Sequence, residues 1–315
     1  MSTPDGWSGR IDLPDVPATR RWHQCVQALQ PGSPPGVAVL GFACDEGVRR
    51  NHGRVGAAKG PLALRRMLSN LPKLDEALLY DAGTIACVDG DLEGAQARYA
   101  EVMAGLLDAG HLPVGLGGGN EIAYASYLGL VKHLGTRRPR VAIVNIDAHF
   151  DLRQQDRASS GTPCLQAIEH ARSHGLTLDY LVWGISASAN TRMLFDTADA
   201  LGVHYVRDDR LNLLNLARHI VDLRMRLADV DVVYLTIDLD ALPHAMAPGV
   251  SAPAARGVPL EVLEPLLDEI ADTGKLKLLD VAELAPPLDR DQATARVAAR
   301  LIHRVTAAAW QARGG

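Results

Sequence analysis

Short apolar runs, rich in β-branched residues and bounded by polar or glycine-rich breaks, alternate along this chain with segments of helical period. Residues 37–42, 113–116, 141–146, 178–183, 230–237 and 276–280 read as strands. Most carry so few polar positions that they read as buried on both faces, the pattern of a parallel sheet covered by helices on two sides. Leu92, Ala95, Tyr99, Met103, Leu106 and Leu107 recur at helical spacing, which predicts an amphipathic helix over residues 92–109. Residues 61–71 open on a proline and read as another helix, and a third is predicted from about Asn120. The alternation runs to the C-terminus, so the expected fold is α/β: a single-domain three-layer α/β/α sandwich with a mostly parallel sheet. Residues 1–34, rich in Pro, Gly and Asp around a short helical patch at 20–29, read as an N-terminal surface arm, with 35–315 as the domain.

Composition narrows the function classes. With 315 residues, 47% of them hydrophobic, the chain can bury a sizeable core. A formal net charge of -5 gives no electrostatic footprint for nucleic acid or an anionic membrane. No apolar run approaches the roughly 20 residues of a membrane helix. The first residues lack the basic start and apolar stretch of a secretory signal. Cys25, Cys44, Cys87 and Cys164 are scattered, with no CxxC pair, so no disulfide framework is expected. The expectation is a cytoplasmic protein with reduced thiols that acts on a small molecule, with neither nucleic acid nor membrane as partner.

The candidate chemistry sits at strand ends. The run at 141–146 leads straight into Asp147, His149 and Asp151, and the run at 230–237 into Asp238 and Asp240. Side chains two apart in extended backbone share a side, so each set can converge just past its strand, where open parallel sheets bind ligands. Taken alone, DAHFD also reads as a polar turn with His149 simply hydrogen-bonded. Two such strand ends side by side would gather four carboxylates, which cannot all stay ionised without compensation. Two divalent cations would supply it, and oxygen-rich ligation with one imidazole suits Mn²⁺. Gly117–Gly119, ahead of Asn120, lets backbone approach a ligand closely; no GKS or GKT follows, so a nucleotide loop is weakly supported. Residues 47–61, dense in glycine and arginine, read equally as a loop facing an anionic ligand or as an ordinary solvated loop.

These segments, in this order, resemble the arginase/agmatinase (ureohydrolase) family. The carriers are GGGN, DAHFD, TIDLD and the Glu283 of DVAELAPPLD, together with GVRRNHGRVGAAKGP, SSGTP and PGVSAP. The resemblance implies an arginase-like sandwich with about eight parallel strands and two Mn²⁺ ions. Asp147, Asp151 and Asp238 would hold one ion, and Asp147, His149, Asp238 and Asp240 the other. Glu283 would take the cationic end of the substrate, and Asp151 would carry a proton to the leaving amine. The implied reaction is hydrolysis of N-formimidoyl-L-glutamate to L-glutamate and formamide. A guanidino hydrolase releasing urea and a catalytically silent relative are the alternatives. Arg153, with Asn190, Thr191 and Ser160, would bind the substrate, and a homo-oligomer is implied. One position departs from the pattern: Asn120 stands where the family has histidine. As the sixth ligand it offers only an amide oxygen, a weaker donor than imidazole, so the adjoining metal site is expected to be weak or empty.

Overall fold

The computed structural model of this protein describes residues 4–314. Nine strands form one sheet: β1 (Gln27–Ala28), β2 (Val37–Ala43), β3 (Leu79–Ala86), β4 (Leu112–Leu116), β5 (Val141–Ile146), β6 (Leu178–Ile185), β7 (His204–Arg207), β8 (Val232–Asp238) and β9 (Leu276–Ala282). They lie in the order β1-β3-β2-β4-β9-β8-β5-β6-β7, and every pair is parallel.

The side-chain alternation along each strand builds two cores. Ala142 and Val144 of β5 join one apolar cluster while Val141 and Ile143 join the other. On β8, Val233 and Leu235 part from Val232 and Tyr234 in the same way. Burial on both faces is why these runs read as nearly continuous apolar sequence. The helices are α1 (Trp22–Cys25), α2 (Glu46–Arg50), α3 (Gly60–Ser69), α4 (Leu92–Asp108), α5 (Ile122–Leu134), α6 (Pro163–Ser173), α7 (Arg192–Leu201), α8 (Leu216–Leu227), α9 (Leu260–Asp272) and α10 (Ala293–Ala312). α3, α8, α9 and α10 cover one face, and α4, α5, α6 and α7 the other. The expected three-layer sandwich is therefore present.

The sheet has nine strands where about eight were expected, because β1 is a two-residue pairing with β3 inside the segment read as an arm. The helical patch expected at 20–29 reduces to α1, followed at once by β1. That segment is also tied inward: Trp7 and Trp22 are only 5% and 2% exposed. The Trp7 Nε1–H donates to Asp81 Oδ2 at 2.6 Å, and Arg65 grips the same carboxylate through Nε and Nη2 at 2.7 and 2.9 Å. A buried guanidinium–carboxylate pair is tolerated only when its remaining donors are satisfied. Here Thr84 Oγ1 accepts from Arg65 Nη1 and Gly83 O from the remaining hydrogen of Nη2.

Register sets the site. Ile146 of β5 is level with Ile237 of β8, Asp238 with Ala282 of β9, and Val281 with Leu116 of β4. The residues that follow these positions leave the sheet at one level: Gly117–Asn120, Asp147, Asp238 and Glu283. The strands that precede β4 lie on one side of it and β5, β6 and β7 run outward on the other, which makes this edge a topological switch point, where such sheets bind ligands.

Candidate metal centre

The four edges above bring together all six residues proposed as metal ligands from the sequence. Asp147, Asp151, Asp238, Asp240 and Asn120 are each 5% exposed or less. Ligating atoms of Asp147, His149 and Asp240 all lie within 4.8 Å of one another. His149 Nδ1 stands 3.1 Å from Asp240 Oδ2 and 3.5 Å from Asp147 Oδ1. On the other side, the Asn120 Nδ2–H₂ group donates to Asp151 Oδ2 and, at 3.3 Å, to Asp147 Oδ2.

The convergence does not come from extended backbone. β5 ends at Ile146, and Asp151 has φ 54°, in the left-handed region that non-glycine residues rarely adopt. The turn between them is held by bonds to neighbouring loops. The His149 N–H donates to Asp147 Oδ1 at 2.6 Å, the Phe150 N–H to Asn190 Oδ1 at 3.1 Å, and the Ser186 N–H to Ala148 O at 3.0 Å. Ala148 and Phe150 are buried in the core beneath, so the acids face the opposite way. Glu283 is also left-handed, with φ 71°; its N–H donates to Gly118 O at 2.8 Å and its Oε1 accepts from Asn120 N at 3.0 Å. Such backbone costs roughly 1–3 kcal/mol per residue and concentrates at functional sites.

The electrostatics are those of a site built for cations. Burial, then the charge of Asp147, pushes Asp151 well above the carboxylate range. Burial and Asp240 do the same to Asp238, and burial raises Asp240 despite His149 beside it. Burial opposes charge on His149, yet Asp240 and Asp147 outweigh it and lift the imidazole well above its ordinary value. Glu283, desolvated and facing Asp240, is pushed up to about 8. Among the described residues, Asn120 Oδ1, Asp240 Oδ1 and Glu283 Oε2 are buried without a hydrogen-bond partner. Buried polar atoms are normally paired; orphaned acceptors beside clustered acids fit divalent cations, and the oxygen-rich donor set fits a hard or borderline metal.

The acids floor a cavity of 320 Å³, a size typical of small-molecule sites; His149, Asp151, Asp238, Asp240 and Glu283 line it with Arg153, Ser160 and Asn190. The substrate residues proposed from the sequence separate by their partners. The Arg153 side chain runs along Gly161 and ends without an ion-pair partner among the described residues. Ser160 Oγ accepts from Asn51 Nδ2 at 3.2 Å. Asn190 borders the cavity, but its amide is committed to Phe150 N, Ala148 O and Ser186 O, so it positions the DAHFD turn. Thr191 is exposed at the start of α7 and does not line the cavity.

Three residues not singled out from the sequence also belong to the site. Arg54 lines the cavity from the loop after α2, Ser251 from the loop after β8, and Asn145 Nδ2 donates to Asp147 Oδ2 at 3.0 Å from within β5. The glycine- and arginine-rich stretch 47–61 was the available signal for Arg54. It forms a cavity wall, anchored by Arg50, whose buried guanidinium donates to Glu46, Glu93, Gly90 O and Ala158 O.

A parallel sheet carrying buried acids, one imidazole and an open cavity at its carboxyl edge has the makings of a divalent-metal centre that acts on a small molecule. Residues 35–308 match the family model described as "Arginase family". The chain is 53% identical over 307 residues to a formimidoylglutamase from Ralstonia nicotianae, covering 96% of this chain and 94% of the relative. It is 51% identical over 303 residues to a formimidoylglutamase from Aeromonas salmonicida, covering 95% and 96%. Among solved structures, formimidoylglutamase from Bacillus subtilis superposes with TM-score 0.84 at 21% identity, over 96% of this chain and 94% of that one. Formiminoglutamase from Trypanosoma cruzi with two Mn²⁺ superposes with TM-score 0.76 at 24% identity, over 89% and 94%. This chain belongs to the arginase family, whose members hydrolyse amidino compounds.

Proposed function

We propose that this protein hydrolyses N-formimidoyl-L-glutamate to L-glutamate and formamide with the help of two Mn²⁺ ions. The observation that carries the reading is one cavity holding both an acid cluster at its floor and an unpaired guanidinium, Arg153, on its wall. An amidine substrate needs the first and a carboxylate the second. The names of the relatives at about half identity over nearly the whole chain support it.

Asp147, Asp238, Asn120 and Asp151 would hold one ion, and Asp147, Asp238, His149 and Asp240 the other. Bound divalent ions neutralise the clustered carboxylates and make water acidic enough to attack near neutral pH. The chain's own residues do the rest. Glu283 Oε2, buried and unpaired, accepts an N–H of the amidine and fixes its carbon over the acids. Asp151, held by Asn120 and the strained turn, takes the proton released as water adds and returns it to the departing glutamate nitrogen. Water and the amidine thus yield the amine and formamide, with no other reactant. Arg153 pairs with a substrate carboxylate by its bidentate fork.

We further assign the protein to the cytoplasm as a homo-oligomer. All four cysteines are free, as in a reducing compartment, and no helix among the described residues is long and apolar enough to cross a membrane. Leu214 and Met225, 96% and 72% exposed on and beside α8, support a contact with another copy. The test of the activity is product analysis of the Mn²⁺-loaded protein given N-formimidoyl-L-glutamate, L-arginine and agmatine. Formamide from the first alone is expected; urea from either of the others, without formamide, would overturn the reading.

A further inference from the structure

The cavity carries a second cation whose fixing has a different logic from that of Arg153. Arg54 leaves the loop after α2 and reaches across to the loop after β8. Its Nε–H donates to Ser251 O at 2.9 Å and its Nη2–H to Val250 O at 2.7 Å. Its own backbone N–H donates to Ser251 Oγ at 2.9 Å. The approach is close: a Cβ on Gly53 would stand 2.5 Å from Ser251 Oγ. His52, one residue earlier, adopts φ 59°, a conformation that turns the chain so that Arg54 faces the cavity. Two carbonyls orient the guanidinium without neutralising it, and its Nη1 is left over. Among the described residues no carboxylate pairs with it. What sets it apart from other exposed arginines is that backbone bonds fix it at the wall of the cavity.

Ser251 also connects Arg54 to the reacting end of the site. Ser251 lines the same cavity as Glu283 while its carbonyl accepts from Arg54, so the cation shares that cavity with the group that takes the amidine. Arg153 lines the same cavity beside Gly161 and Asn51. Two guanidinium groups without a carboxylate partner among the described residues, one of them held by backbone carbonyls, thus line a cavity floored by acids. A ligand with one cationic end and two carboxylates meets all three.

We propose that Arg54 is a specificity-determining residue that holds the second carboxylate of a dicarboxylate ligand, the first being held by Arg153. The proposal rests on the formimidoylglutamate reading for the identity of the ligand. It extends that reading by assigning one arginine to each carboxylate and by explaining why the loops of residues 47–54 and 250–252 are stapled together at this point. A carboxylate bonded to a fixed guanidinium contributes enough that its loss weakens binding by roughly tenfold or more.

The test separates the two readings. Calorimetry on the Mn²⁺-loaded protein measures binding of L-glutamate, L-glutamine and 4-aminobutyrate, which lack neither carboxylate, the side-chain carboxylate and the α-carboxylate respectively. Wild type should bind L-glutamate best and lose roughly tenfold or more on removal of either carboxylate. In Arg54→Gln, L-glutamate should weaken to the level of one analogue, and the absence of that carboxylate should no longer matter. In Arg153→Gln the other carboxylate should become dispensable, and Arg54→Lys should recover part of the loss. Metal content and melting temperature, recorded for each variant, identify any that fails to fold; Arg54→Lys then carries the comparison. An Arg54→Gln protein that weakens all three ligands equally is only a loop staple, and the proposal falls. It also falls if both carboxylates still count in that variant, or if wild type prefers none of the three. The reading of the reaction is judged apart, by formamide release from N-formimidoyl-L-glutamate.

Discussion

Removing the metal should make this protein's stability fall steeply as pH rises, and neutralising Glu283 should relieve part of the fall. Without cations the folded site keeps protons that the unfolded chain gives up. Glu283 titrates near 8 in place of its ordinary 4.5, because it is desolvated and faces Asp240. Between pH 6 and pH 8 the folded state therefore retains a proton that the unfolded state has lost. Each such proton lowers stability by about 1.4 kcal/mol per pH unit, so Glu283 alone contributes a loss of about 2–3 kcal/mol over that interval. Asp151 and Asp238, raised by burial and by the charges of Asp147 and Asp240, act with the same sign. So does His149: its folded value is raised, so its stabilisation is complete below its unfolded value and is lost as pH climbs through the folded one. At an unfolding entropy of about 2.1 cal/mol/K per residue, 315 residues convert 1 kcal/mol into about 1.5 °C. The metal-free protein should thus melt about 4 °C lower at pH 8 than at pH 6 for each retained proton. The measurement is thermal denaturation in EDTA and in excess Mn²⁺ at both pH values, on wild type and Glu283→Gln. The gap between metal-loaded and metal-free melting temperatures should widen with pH, since metal displaces those protons. Metal-free Glu283→Gln should melt about 6 °C higher than metal-free wild type at pH 8, because glutamine never ionises and the wild-type loss accumulates from the ordinary carboxylate value upward. Equal pH slopes for the two metal-free proteins would refute the account of Glu283.

Other variants probe other parts of the site. Asp147→Ala and Asp238→Ala should each lose both metals, because each carboxylate is assigned to both ions; elemental analysis finding two tightly held Mn²⁺ ions in either would remove that assignment. Arg153→Lys should raise KM for N-formimidoyl-L-glutamate roughly tenfold with metal content unchanged, a point ammonium being a poor substitute for a bidentate fork; identical steady-state kinetics would return Arg153 to an ordinary surface role. Asn120→His replaces an amide that reaches Asp147 and Asp151 with a stronger donor, so half-saturation by Mn²⁺ should move to lower concentration in a metal titration. An unchanged titration would mean that Asn120 is already an adequate ligand.

The strands buried on both faces were legible because burial leaves an unbroken apolar run, as at β5 and β8. β1, β3 and β7 were not picked out individually. β1 is two residues long, and β3 and β7 carry polar or exposed positions, as in LYDAGTIA and HYVR. The acid pairs were legible as pairs, since they sit at fixed offsets from strand ends. Their meeting was not derivable, because nothing local says that Ile146 lies level with Ile237. The packing of Trp7 against Asp81 was hidden for the same reason: its two halves are 74 residues apart.

Side-chain roles were the least legible of all, and Asn190 and Arg54 show why. Both are polar residues near loops, and composition treats them alike. Asn190 spends its oxygen and its nitrogen on three backbone groups, so it shapes the turn that carries the acids. Arg54 spends two nitrogens on backbone and keeps its charge unpaired toward the cavity. Hydrogen-bond capacity alone separates them: an amide that has met its partners has little left for a ligand, whereas a guanidinium has five donors and a charge that carbonyls do not cancel. The same accounting explains the floor of the cavity. Asn120, Asp240 and Glu283 each retain a buried acceptor without a hydrogen-bond partner, a cost that folding alone gives no reason to carry. A binding site does, because those atoms are free to meet cations and an amidine.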